Sequence, residues 1–98
     1  MNRKRMQAVI DQIEAHPETW DQGSWRCGSK ACFAGWAENH AKREAPAFYD
    51  AIWSTRMVAI HWLALADWEA NWLFASSRKL GDFKQFLLKG RLPADALK

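Results

Sequence analysis

Apolar residues open the chain at helical spacing. Met6, Val9, Ile10 and Ile13 fall on one side of a helical projection and Arg3, Lys4, Gln7, Asp11 and Glu14 on the others, which predicts a helix over residues 3–15. Pro17 ends it, because proline has no amide N–H to donate and biases His16 away from helical geometry. The run HPETWDQGSWRCG that follows holds Pro17, Gly23 and Gly28 together with Trp20 and Trp25. A connector that spends two indoles is predicted to lie against the core, each indole N–H meeting an acceptor or water at the edge. Ser29 offers a cap to a second helix, whose apolar face is drawn from Ala31 or Cys32 and then Gly35 or Trp36, and which the charged run at 42–44 closes. Gly35 inside that helix costs about 1 kcal/mol relative to alanine, which points to close approach by another helix or ring.

Beyond Pro46, residues 47–53 suit a short helix and 55–66 a longer one. Met57, Ile60 and Ala64 define one face of the longer segment, and Val58, Trp62 and Leu65 make the neighbouring face apolar as well, so it is expected to be the central helix. Asp67 offers an N-cap to WEANWLF, Ser76 and Ser77 interrupt that helix, and LGDFKQFLLKG supplies another with Leu80, Phe83, Phe86 and Leu87 directed inward. Gly90 closes it, and Pro93 begins a short terminal turn. No alternation, internal repeat or low-complexity tract supports a sheet. Ninety-eight residues suffice for one core and not for two. The expected architecture is therefore all-α: a single domain over 1–98, a compact irregular bundle of about four to six helices with an ordered Trp-rich connector.

Composition changes this picture little. Hydrophobic residues make up 49% of the chain, with seven Trp and five Phe, enough apolar area to order it and to exclude disorder. Fourteen Lys and Arg against eleven Asp and Glu leave a formal charge of +3, with basic runs at 3–5 and 89–91, a bias that suits an acidic partner or an ordinary surface equally. The N-terminus lacks the apolar core and small-residue cleavage site of a secretory signal, and the longest apolar stretch, from Met57, is too short and too polar to cross a membrane. A cytoplasmic location is expected, where a structural disulfide is the exception.

Both cysteines fall in WRCGSKACFAGWA, residues 25–37. Cys27 and Cys32 are separated by four residues rather than the two of a thioredoxin-like site, although Gly28 and Ser29 bend the chain enough to make a disulfide sterically accessible. Structural zinc needs four ligands, and the weak candidates are Cys27, Cys32, His16 and His40, with His61 further along. Cys32 and His40 on one helix would stand roughly 12 Å apart by helical rise, too far for one ion. The preferred reading makes the segment a packing device, with Cys32 a small buried side chain, Cys27 packed beside Trp25, and neither metal nor cofactor.

The pattern W-x-C-G-x-x-x-C-x-A-G-W-A, carried here by Trp25, Cys27, Gly28, Cys32, Ala34, Gly35, Trp36 and Ala37, resembles one found in a set of small bacterial and phage proteins. HPETW and the later run NWLFASSRKL share the likeness, which touches roughly half of the chain. That set commonly has threonine where this chain has Lys79, so the cap of the last helix is expected to be absent or moved to Ser77. The resemblance implies a compact small protein and brings no activity or catalytic residue with it.

Three function classes can be read against these residues. Catalysis would need His61 as a buried base served by Asp67 or Glu69, and a histidine between Ile60 and Trp62 is more commonly a hydrogen-bonded core or interface residue; no phosphate loop or HExxH sequence is present, and the expectation is no enzyme. IHWLALADWEANWLF resembles a degraded helix-turn-helix, but WEANWLF offers only Asn71 as a base reader, which leaves Arg78, Lys79, Lys84, Lys89 and Arg91 as phosphate contacts of a nucleic-acid-binding regulator. The leading expectation is a small protein-interaction module, an adaptor or inhibitor from a phage or mobile element, whose partner is another protein or a second copy. Its surplus apolar area is assigned to Trp20, Trp53, Trp68, Trp72 and Phe74, with Trp36 and Trp62 in the core.

Overall fold

Five helices enclose one core in the computed structural model, which describes residues 1–23, 26–27, 30–49 and 53–90, with the backbone alone at 26, 27 and 30. The expected all-α architecture is what is observed. Helix α1, Arg3–Ala15, begins where the Asn2 side chain accepts a hydrogen bond from the Arg5 amide, and it buries Met6, Val9, Ile10 and Ile13, the stripe its spacing predicts. His16 caps its end and Pro17–Thr19 forms one 3-10 turn.

The connector is ordered as far as it is described. Trp20 stands edge-on to Phe83 with ring centroids 6.0 Å apart, and its indole N–H donates to Gln22. Two strands of two residues, Arg26–Cys27 (β1) and Lys30–Ala31 (β2), pair antiparallel with Arg26 opposite Ala31. Strands this short leave no alternation in the sequence, so the ribbon was not anticipated. Trp25, Gly28 and Ser29 lie outside the described residues.

Helix α2, Phe33–Glu44, starts later than expected. Its N-cap is Cys32, whose sulfur accepts from the Gly35 amide at 3.4 Å, rather than Ser29. Phe33, Ala34, Ala37 and Ala41 line the face toward the core, and the three alanines leave room for α3 to pack along α2. Glu38 is buried on the same helix and is satisfied by the Thr55 hydroxyl at 3.2 Å and the Lys42 ammonium at 3.3 Å. Residues 46–48 form a turn, with the Phe48 and Tyr49 amides both reaching Ala45, where a helix over 47–53 was expected; 50–52 lie outside the described residues.

Helix α3, Thr55–Leu63, is three residues shorter than its apolar run. Ala64 takes a left-handed conformation (φ 56°) and the Leu65 amide returns to Ile60 at 3.0 Å, the long-range bond of a Schellman turn. Helix α4, Asp67–Leu73, is capped from within: Ala66 is the N-cap, and the Glu69 carboxylate accepts from its amide at 2.8 Å, so Asp67 is the first helical residue and not the cap. Helix α5, Leu80–Lys89, repeats the device, with Lys79 at the N-cap and Asp82 accepting from its amide at 2.8 Å; Ser77 takes no part. Phe83 and Phe86 are buried on α5, Leu80 and Leu87 pack against the core, and Gly90 closes the helix at φ 70°. The terminal turn at Pro93 falls outside the described residues.

Candidate functional site

Helix α3 has more apolar surface than α2 can cover. Its inward side carries Val58, Ala59, Trp62 and Leu63, all buried against the core. The other apolar side, Met57, Ile60 and Ala64, turns outward, and Met57 is 54% exposed. These residues join Trp53, His61 and Leu65 around a groove of about 540 Å³. Arg56 and Asp67 stand at it as an ion pair 3.6 Å apart, and Arg56 also donates to the Asn71 side chain at 2.6 Å, so the groove is close to electrically neutral.

One wall of the groove continues into a ring cluster. Phe48, Tyr49, Trp53 and His61 touch pairwise with centroids between 4.9 and 5.7 Å. Tyr49 is the buried member, and burial pushes its phenol up. Its hydroxyl is 2.8 Å from His61 Nδ1, which fixes the exposed imidazole against the rings. Phe48 is 53% exposed at the outer edge. Neither carboxylate that the sequence offers to His61 serves it: Asp67 pairs with Arg56, and Glu69 is spent on the α4 cap.

The five aromatic residues proposed as an interface do not share one face. Trp53 lines the groove, Trp68 on α4 is 53% exposed, and Trp72 is half-buried under the Arg78 guanidinium, 4.1 Å from its ring. Trp20 packs on Phe83, and Phe74 packs against the core. Trp62 is in the core as expected, whereas Trp36 is only partly buried, its N–H donating to Thr19. Phe48 and Met57 were missed. The signal for Met57 was present, since a helix apolar on two sides buries only one against a single neighbour; which side was left over depended on α2.

The weak metal candidates are dispersed. His16 is exposed beside Glu18, His40 stacks on Trp62, and Cys32 is buried with its free thiol spent on the α2 cap, burial pushing that thiol up. The Cys27 side chain lies outside the described residues. Among the described residues no three His, Cys, Asp or Glu side chains gather as a metal site.

Two of the basic candidates are already engaged within the chain. Lys84 pairs with Glu14 at 2.8 Å, and Arg78 donates to the Trp72 carbonyl while covering its ring. Asn71, the one base reader in α4, is held by Arg56. Lys79 and Lys89 are exposed at opposite ends of α5, and Arg91 lies outside the described residues. Among the described residues no helix is long and apolar enough to cross a membrane. No protein-family model matches the chain, and neither a curated protein nor a solved structure matches it.

Proposed function

We propose that the chain is a small protein-interaction module, an adaptor or inhibitor in role, whose docking surface is the outward side of α3 with the adjoining ring cluster. The observation that carries this is the second apolar side of α3: Met57, on a nearly neutral groove lined by Ile60 and Leu65, is more than half exposed, as is Phe48 on the ring cluster beside it. A surface of this kind gains by meeting the apolar stripe of a partner helix, with Trp53 as the aromatic anchor and the Arg56–Asp67 pair at the polar rim. The basic candidates support a nucleic-acid role less well, because Arg78, Lys84 and Asn71 are already engaged within the chain.

A photo-crosslinking side chain placed at Met57 in cells tests the reading. A discrete adduct is expected from position 57, none from the exposed position Gln85 on α5, and loss of the adduct on adding Ile60→Lys. Adduct mass shows whether the partner is a second copy. Equal labelling from both positions, or none from position 57, would rule the docking surface out.

A further inference from the structure

A second concavity, of about 470 Å³, opens on the other side of Trp62, where the start of α1 meets the end of α2. Lys4, Arg5 and Asn2 reach it from α1, His40 and Glu44 from α2, and Trp62 from α3. Its walls are held in place by their own bonds. Arg5 donates to the Trp62 carbonyl and to Glu44, each at 2.9 Å, and lies 5.1 Å from the Trp62 ring. The Trp62 indole N–H donates to the other Glu44 oxygen at 3.0 Å, and His40 stacks parallel to Trp62 with centroids 5.8 Å apart. Both oxygens of the one carboxylate are therefore engaged.

What remains unused is almost entirely donor. Arg5 has N–H groups beyond the two it spends, and the Asn2 side-chain oxygen caps α1, leaving its amide hydrogens free. Among the described residues neither the Lys4 ammonium nor either ring nitrogen of His40 has a hydrogen-bond or ion-pair partner, although both feel the Glu44 charge at longer range. Two cations face one carboxylate, so the concavity is net positive. We propose that this concavity binds a small oxyanion, the carboxylate or phosphate group of a small molecule, with Lys4 and His40 as its direct contacts and Arg5 as the fixed charge behind them. The site is separate from the α3 groove and does not depend on it.

An NMR titration at constant ionic strength tests this with acetate and inorganic phosphate as separate probes. Saturable shifts are expected at the His40 ring and the Trp62 indole N–H for at least one probe, with no saturable shift at the exposed His16. Lys4→Met and His40→Gln, both at solvent-reachable positions, are each expected to weaken binding by about tenfold or more, while Lys79→Met leaves it unchanged. The probe that saturates names the head group. Non-saturating drift with both probes, or wild-type affinity in both Lys4→Met and His40→Gln, would overturn the proposal.

Discussion

Gln22 shows how one side chain can hold a connector in place. Its oxygen accepts from the Phe33 amide and the Trp20 indole at 3.1 Å each, and its nitrogen donates to the Leu73 and Ala75 carbonyls at 3.0 and 3.1 Å. Four bonds in four directions satisfy a buried amide and join the connector to the start of α2 and the end of α4. Gln22→Met keeps the volume but strands a buried amide and a buried carbonyl, so urea unfolding is expected to show a loss of about 2–4 kcal/mol. Gln22→Glu turns the two donated bonds into repulsions, so at neutral pH it should cost at least as much as methionine. Acidification should recover part of that loss as the buried carboxyl gains a proton. The opposite sign is expected at Ala64, the only non-glycine residue with positive φ among those described. Ala64→Gly relieves the left-handed strain and should raise stability by about 1 kcal/mol in the same measurement.

Where α1, α2 and α3 meet, His40 and the Arg5–Glu44–Trp62 triad make stability depend on pH in two separate windows. Desolvation, then the charge of Arg43, pulls His40 below its ordinary value of 6.5. The unfolded chain then protonates first, so stability is full above about 6.5 and falls as pH drops toward the depressed folded value. The Trp62 hydrogen bond, then Arg5, holds Glu44 below its ordinary 4.5; its contribution is full above about 4.5 and is lost as pH falls from there through the depressed folded value. Thermal melts across pH 3–8 should show His40→Gln flattening the upper window, and Glu44→Gln flattening the lower one while deepening the upper, because the Glu44 charge holds His40 up. None of this junction was legible in sequence, because its partners are 18 to 57 residues apart. The amphipathic helices were legible: α1 and α5 each bury one stripe and end at Pro17 and Gly90. The starts of α1, α3 and α5 fall where the sequence placed them, whereas the starts of α2 and α4 and the cap of α5 differ for a physical reason. Propensity favours hydroxyl and Asp caps, whereas α2 is capped by a sulfur and α4 and α5 by a carboxylate reaching back from the third helical residue.

Across the whole molecule, one core serves every helix, and it closes without using all the apolar surface the sequence supplies. Among the described residues the large hydrophobic side chains left exposed are Phe48, Met57, Trp68 and Leu88, and of these only Trp68 is one to which the sequence reading assigns surplus apolar area. Which residues are left outside follows from the packing of α2 on α3, a long-range choice that local periodicity cannot make when both sides of a helix are apolar. Stability and docking should therefore separate between adjacent residues of one helix. Met57→Lys adds a charge to an exposed position and should leave the unfolding free energy within about 0.5 kcal/mol of wild type. Val58→Ala, one residue further and fully buried, removes core methyls and should cost roughly 2 kcal/mol. If α3 is a docking element, Met57→Lys should abolish partner binding with stability intact, whereas Val58→Ala should weaken binding only as far as it depopulates the folded state. The comparison requires chemical denaturation and, with the photo-crosslinking side chain moved to the exposed Phe48 beside the groove, crosslink yield measured on the same two proteins. Matched losses of stability and crosslinking in both would mean that the outward side of α3 is structural.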